Sequence, residues 1–220
     1  MYHRRMDGTS ADVTVFILAG GKSTRMGADK AFVVLRPVLG GPDSDKRNFD
    51  GRTLLARALE LGRSVASDVR IVGDAAKFAA FAPVVEDVFR GRGPLGGIHA
   101  ALRASQTELN LMLAVDVPFV STALLQYLIM RARASAATVT VAQAGGRRQP
   151  LCAVYAREFA DVAELALRGG RYKIDALFEP ARTLVISEEE LEGEGFSAKM
   201  FRNLNTREEL EAVRREDESR

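Results

Sequence analysis

Residues 13–30, VTVFILAGGKSTRMGADK, limit most strongly how this chain can fold. The first six of them are mostly apolar and β-favouring, which predicts a buried strand. The strand leads directly into Gly20 and Gly21, and paired glycines permit a tight turn and a close approach of backbone to a ligand. Three cationic side chains follow: Lys22, Arg25 and Lys30. Backbone N–H groups beside fixed positive charge predict a binding site for an oligophosphate.

Two common phosphate-binding motifs do not fit this stretch. A P-loop has four residues between its first glycine and a Gly-Lys pair. Here five residues separate Gly21 from Gly27, and Ala28 occupies the lysine position. The dinucleotide fingerprint G-x-G-x-x-G needs spaced glycines, whereas Gly20 and Gly21 are adjacent. The predicted phosphate site is therefore of another kind.

Strand and helix patterns alternate along the rest of the chain. Strand-like apolar runs occur at residues 69–72, 84–85, 109–115, 138–143, 151–155 and 184–186, with helical patterns between most of them. This alternation predicts one α/β domain with a mostly parallel central sheet and helices on both faces. We place the domain at residues 13–215, after a flexible leader (1–12) and before a tail (216–220). Residues 36–51, rich in glycine, proline and charge, predict an inserted surface loop.

Several local patterns predict where helices begin. Thr53 and Ser121 are suitable N-caps for two apolar-faced helices. A glycine-rich loop at residues 91–97 predicts that the next helix begins near Ile98, and Thr206 predicts the start of a closing helix. Residues 31–35 fit either a helix start or a strand.

Composition and charge limit the class of function. The net charge of +2 arises from 31 basic and 29 acidic residues without a basic run, which disfavours a nucleic-acid partner. No stretch reaches the roughly 18 apolar residues of a membrane span, and residues 1–12 lack the apolar core of a secretory signal. Cys152 is the only cysteine and is far in sequence from His3 and His99, so thiol and zinc chemistry are disfavoured and a cytoplasmic location is expected.

Four predicted strands end in groups that can bind a ligand: Gly20-Gly21, Gly73-Asp74, Glu86-Asp87 and Asp116. Ligands of open α/β sheets bind at the carboxyl ends of the strands, so we expect these groups to converge. Asp116 follows a run of seven residues of which six are apolar, where a carboxylate is costly unless it enters a polar site. An oxygen ligand facing a triphosphate is a natural Mg²⁺ position. The alternative is a turn aspartate before Pro118.

The glycine-rich stretch has the form L-A-G-G-x-S-x-R-M-G-x-D-K over residues 18–30. It resembles the signature loop of nucleotidyltransferases, and most closely that of molybdenum cofactor guanylyltransferases. Further motifs of that family follow in order: V-E-D at 85–87, G-P-L-G-G at 93–97, D-V-P at 116–118, Q-P-L-C-A-V-Y at 149–155 and N-L-N-T at 203–206. The resemblance covers about residues 13–213 and implies a single Rossmann-like nucleotidyltransferase domain.

The resemblance also implies roles for individual residues. It assigns to nucleotide binding Leu18, Ala19, Gly20, Gly21, Lys30, Gly73, Asp87 and Asp116. Lys30 and Arg25 would neutralise phosphates, and Asp116 would hold the Mg²⁺ cofactor. Gly73 stands where relatives often carry an asparagine, so it offers only backbone, and Asp74 is the alternative for the side-chain contact. For Asp87, a solvated acidic turn is the alternative.

Asn203 and Asn205 correspond to family asparagines on the side of the acceptor. A capping box formed by Thr206 and Glu209, with Asn205 in a turn, is an equal alternative for this segment.

The implied reaction transfers GMP from GTP to the phosphate of molybdenum-molybdopterin and releases pyrophosphate. GTP and molybdenum-molybdopterin would then be the small-molecule partners, and molybdoenzyme chaperones or molybdopterin-synthesis proteins would be protein partners. Two other functions are open. One is cytidylyl or sugar-phosphate transfer on the same fold, although Leu18-Ala19-Gly20-Gly21 favours guanine. The other is cofactor delivery by a nucleotide-binding protein without turnover.

Overall fold

The computed structural model of the chain describes residues 10–20, 29–34 and 52–204. Seven strands lie in this part: β1 (Ser10–Leu18), β2 (Ala66–Val72), β3 (Val84–Val85), β4 (Leu109–Ala114), β5 (Val139–Ala144), β6 (Arg147–Ala156) and β7 (Thr183–Ile186). The α-helices are α1 (Leu54–Val65), α2 (Ala75–Phe78), α3 (Pro94–Ala104), α4 (Thr122–Arg133), α5 (Phe159–Arg168) and α6 (Glu188–Gly193). Short 3-10 turns occupy Lys30–Phe32, Ile174–Leu177, Pro180–Arg182 and Ala198–Phe201.

The strands form one sheet in the order β3-β2-β1-β4-β6-β5-β7. β1 runs parallel to β2 and β4, β2 to β3, and β5 to β7. β6 runs antiparallel to both of its neighbours, and the two-residue turn at Gly145 and Gly146 joins it to β5 as a hairpin. One reversed strand in seven confirms the prediction of a mostly parallel sheet.

Helices cover both faces of the sheet, as predicted. Alternate residues of β1 point to opposite faces, with Val15 and Ile17 on one side and Phe16 on the other. The first face packs against α1 and α4, and the second against α3 and α5. Each face therefore has its own apolar core.

The predicted helix caps are confirmed. The Thr53 hydroxyl accepts a hydrogen bond from the Ala56 amide, and the Ser121 hydroxyl accepts one from the Leu124 amide. For residues 31–35 the sequence allows a helix start or a strand. In the described part of this segment, a 3-10 turn spans Lys30–Phe32 and Val34 forms a single β-bridge with Thr53.

Two boundaries differ from the sequence prediction. β1 begins at Ser10, within the predicted leader, because Ser10 pairs with Ala66 of β2. The prediction that α3 begins near Ile98 is wrong: the helix begins at Pro94, and proline is favoured in the first helical turn. The rest of the leader, the 36–51 loop, the closing helix from Thr206 and the 216–220 tail lie outside the described residues. No helix in the described part is both long and apolar enough to cross a membrane.

The core of the first face predicts a large effect for Leu128→Ala in α4, because this side chain is fully buried. We expect a loss of about 3 kcal/mol in the free energy of unfolding, from lost burial and the cavity left behind. The matched control is Leu165→Ala in α5, whose side chain is 67% exposed and should cost less than about 0.5 kcal/mol. Urea unfolding measures both, and equal losses would contradict this core assignment.

Candidate functional site

The carboxyl ends of β1, β2, β3 and β4 meet at one edge of the sheet. Leu18 pairs with Val72 of β2 and with Ala114 of β4. The Ala19 and Gly20 amides both donate to the Val72 carbonyl at 3.1 Å, and the Gly73 amide donates to the Val85 carbonyl at 3.0 Å. The strand ends that the sequence predicts to converge are therefore adjacent.

An ion pair between Lys30 and Asp116 spans this edge. The Lys30 ammonium lies 2.9 Å from Asp116 Oδ2, and the two side chains are only 17% and 19% exposed. The other carboxylate oxygen, Asp116 Oδ1, is buried and makes no hydrogen bond to the described residues. A buried oxygen without a partner is costly. Asp116 therefore presents one paired and one unsatisfied oxygen to the site.

Asp87 lies against the first turn of α3. The Phe89 amide donates to Asp87 Oδ1 at 2.8 Å. A Cβ atom on Gly96 would stand 2.6 Å from Asp87 Oδ2, and one on Gly97 would stand 3.2 Å from a methyl carbon of Val72. The two glycines inside α3 therefore let the helix approach both the carboxylate and the sheet.

The partly buried position of Asp87 affects its titration. Desolvation raises the pKa of the Asp87 carboxyl above 3.8, and the hydrogen bond from the Phe89 amide opposes that rise. Burial penalises the ionised form because it removes water from the charge.

Gly73 has no room for a side chain in this chain. A Cβ atom there would lie 2.8 Å from the Phe78 ring, which is buried in the core. The next residue, Asp74, caps α2 by accepting a hydrogen bond from the Ala76 amide at 2.9 Å. Position 73 therefore contributes only backbone, as the sequence predicts.

The C-terminal part of the described chain returns to the same edge. The Leu204 amide donates to the Asp116 carbonyl at 2.9 Å, and Leu204 is buried while Asn203 is exposed. Of the other predicted site residues, Gly21, Arg25 and Asn205 lie outside the described residues.

Sequence reasoning assigned no role to Lys77 or to Asp29. The Lys77 ammonium lies 2.9 Å from Asp29 Oδ2, although the residues are 48 positions apart. Asp29 lies in the glycine-rich motif next to Lys30, but no pattern in the sequence connects it with the short helix α2.

Metal-ligating side chains are sparse among the described residues, where no group of three or more histidine, cysteine or acidic side chains comes together. Cys152 is fully buried, and burial raises the pKa of its thiol to about 12, so it stays protonated at neutral pH.

Comparison with known proteins agrees with this geometry. Residues 15–183 match the family model described as a MobA-like NTP transferase domain. The chain belongs to the MobA-like NTP transferase family. It is 35% identical over 202 residues to the molybdenum cofactor guanylyltransferase of Desulfosudis oleivorans, with 90% of this chain and 93% of the relative covered.

Solved structures show the same architecture. The molybdopterin-guanine dinucleotide biosynthesis protein A of Archaeoglobus fulgidus superposes with a TM-score of 0.76 and 26% identity, covering 94% of this chain and 100% of the other. A 4-diphosphocytidyl-2C-methyl-D-erythritol synthase from Anaerococcus prevotii superposes with a TM-score of 0.66 and 14% identity, covering 94% and 96%. The second likeness concerns the fold alone.

In this transferase, Gly96→Ala should weaken binding of a nucleoside triphosphate about tenfold, equivalent to about 1.4 kcal/mol. The added Cβ would displace the Asp87 carboxylate, which offsets the gain in helix propensity. Gly193→Ala is the matched control, because a Cβ there meets no atom within 4 Å. Titration calorimetry measures binding, and equal affinity of both variants would contradict a contribution of the Asp87 carboxylate to nucleotide binding.

Asp87→Asn should make the fold more stable at neutral pH relative to the wild type. Because folding raises the pKa of Asp87 above 3.8, the native state binds more protons than the unfolded state between the two pKa values. Wild-type stability therefore falls as pH rises through that window, and the variant lacks this fall.

The advantage of Asp87→Asn should be smallest below pH 3.8 and largest above the raised pKa. Thermal unfolding between acid and neutral pH measures it, with Glu192→Gln on exposed α6 as the control. A difference between Asp87→Asn and wild type that does not change with pH would contradict the prediction.

Proposed function

We propose that this chain transfers GMP from GTP to the terminal phosphate of molybdenum-bound molybdopterin, forming the guanine dinucleotide and releasing pyrophosphate. The observation that carries this proposal is the Lys30–Asp116 pair at the shared edge of four parallel strands. It stands in a chain that aligns over 90% of its length with a molybdenum cofactor guanylyltransferase.

The reaction depends more on neutralising the negative charge of the phosphates than on acid–base catalysis. A phosphate oxygen of the acceptor attacks the α-phosphorus of GTP, a new P–O bond forms, and the bond to pyrophosphate breaks. The attacking phosphate is already anionic, so no strong general base is required. The barrier comes largely from bringing an anion to a polyanion, and positioning and charge neutralisation lower it.

Lys30 is the cation for this task in the proposed mechanism. Without substrate, its ammonium is paired with Asp116 at 2.9 Å, which limits the cost of keeping both charges partly buried. When GTP binds, the ammonium would contact its phosphates, and Arg25 would add a second positive charge.

Mg²⁺ fits the unsatisfied oxygen of this site. Asp116 Oδ1 is buried and accepts no hydrogen bond from the described residues, and Mg²⁺ prefers one or two carboxylates together with substrate phosphates. In the proposed site Asp116 holds the ion. When bound, Mg²⁺ supplies positive charge to the triphosphate and to the leaving pyrophosphate.

The remaining nucleotide contacts are proposed for the β1 loop and for the ends of β2 and β3. Leu18, Ala19, Gly20 and Gly21 would contact the nucleotide and favour guanine. The Gly20 amide already donates to Val72, so a phosphate contact by this amide would have to replace that bond. Two further contacts are proposed at the backbone of Gly73 and the carboxylate of Asp87.

Asn203 and Asn205 are proposed to face the acceptor. The hydrogen bond from the Leu204 amide to the Asp116 carbonyl supports this placement. Leu204 lies between the two asparagines, so the bond holds this segment beside the aspartate that is proposed to bind the metal. Proteins that make molybdopterin or chaperone molybdoenzymes are the proposed protein partners, and the cytoplasm is the proposed location.

Pyrophosphate release with molybdenum-loaded molybdopterin, Mg²⁺ and GTP, CTP or ATP tests the function. We expect a strong preference for GTP. Asp116→Asn and Lys30→Met should each lower kcat about 100-fold or more, because each removes a charge that acts on the phosphates. Asp161→Asn, which removes a carboxylate that is 76% exposed on α5, is the control and should leave kcat unchanged.

Preference for CTP would retain the fold and the mechanism but replace the base in the product. Binding of GTP without pyrophosphate release would overturn the transferase proposal in favour of cofactor delivery.

A further inference from the structure

The short helix α2 contacts the turn that carries Lys30 in two ways. The Lys77 ammonium pairs with Asp29 Oδ2 at 2.9 Å, directly before that turn. The Phe78 ring stacks on Phe32, with ring centroids 5.8 Å apart and planes 27° apart. One contact is ionic and the other apolar, and both join α2 to residues 29–32.

The same helix is held to the ends of two strands. The Phe78 ring lies against Gly73 at the end of β2, where a Cβ would be only 2.8 Å away. The Ala75 amide donates to Glu86 Oε1 at 3.3 Å, just beyond β3. Helix α2 therefore connects the ends of β2 and β3 with the turn that carries Lys30. The Lys30 side chain in turn reaches Asp116, which lies just beyond β4.

Asp29 places a negative charge directly beside the lysine that is proposed to bind phosphates. Its carboxylate precedes Lys30 and is held in place because Asp29 Oδ1 accepts the Ala31 amide at 3.3 Å. A fixed negative charge beside a polyanion repels it. Lys77 compensates that charge, and the pair in turn raises the pKa of the Lys77 ammonium above 10.5, so it is fully charged at neutral pH.

We propose that Lys77 is a positioning residue of the nucleotide site: it acts through Asp29, neutralising that carboxylate and holding the Lys30 turn for the triphosphate. The inference rests on the proposed function, in which Lys30 binds the phosphates of GTP. It assigns Lys77 no contact with the substrate.

Four proteins test this inference: wild type, Lys77→Met, Asp29→Asn and the double variant. Lys77→Met should raise the KM and the Kd for Mg²⁺-GTP about fivefold, the upper range for a partly exposed ion pair, and change kcat less than about twofold. Asparagine at position 29 keeps a capping oxygen for the Ala31 amide but carries no charge. The double variant should therefore bind Mg²⁺-GTP within about twofold of Asp29→Asn.

Lys77→Arg is the matched control, because it keeps the positive charge and should retain wild-type affinity. Urea unfolding of each variant separates a loss of binding from a loss of folded protein. Raising the salt concentration should reduce the difference between wild type and Lys77→Met, because exposed charges are screened.

Two results would overturn the inference. One is a Lys77→Met protein with wild-type affinity. The other is a double variant that binds as weakly as Lys77→Met, which would mean that Lys77 contacts the nucleotide itself or serves only the fold.

If the proposed function is wrong, the wild-type protein will release no pyrophosphate from GTP. The comparison of Kd values for Mg²⁺-GTP among the four proteins does not depend on turnover, so the two failures can be told apart. If the wild type prefers another triphosphate, the same proteins are compared with that nucleotide.

Discussion

The pairing of Lys30 with Asp116 depends on the way β1 and β4 lie side by side. The two residues are 86 positions apart, yet their charged atoms are 2.9 Å apart. Parallel pairing of Leu18 with Ala114 brings the end of β1 to the end of β4, and the chain beyond each strand then supplies one charge. Opposite charges in a partly dry site stabilise each other until a ligand replaces one partner. The central position of these two strands, with apolar layers on both faces, is what makes the pair possible.

Close approach of side chains to the backbone of glycines is the second requirement of this edge. At Gly73 the Phe78 ring occupies the space of a side chain, and at Gly96 the Asp87 carboxylate does so. These contacts bring α2 and α3 onto the strand ends, where longer side chains would keep them away. The site also costs stability, because Asp87 is partly desolvated and Asp116 Oδ1 has no hydrogen bond among the described residues. Both features suit a ligand that supplies cations and hydrogen-bond donors.

The short helix α2, which follows β2, packs on this edge of the sheet. At Gly73 the space of a side chain is taken by Phe78, which also stacks on Phe32. The same short helix supplies Lys77 to Asp29. The ring that fills the space at Gly73 and the cation that pairs with Asp29 therefore come from adjacent residues of α2.

Much of this protein could be predicted from its sequence because the signals are local. Alternation of apolar strands with capped helices determined the α/β class, and Thr53 and Ser121 cap helices as their hydroxyls predict. The glycine-rich motif and the motifs that follow it identified the family. They also predicted the strand-end groups that the structure brings to one edge of the sheet. The start of α3 differs from the prediction because Gly96 and Gly97 favour a turn by propensity, whereas in the fold both lie inside the helix, where an added Cβ would meet Asp87 or Val72. Strand order, the reversed β6 and the Lys77–Asp29 pair were decided only by tertiary structure. They join residues far apart along the chain, and no local preference encodes which distant partners meet.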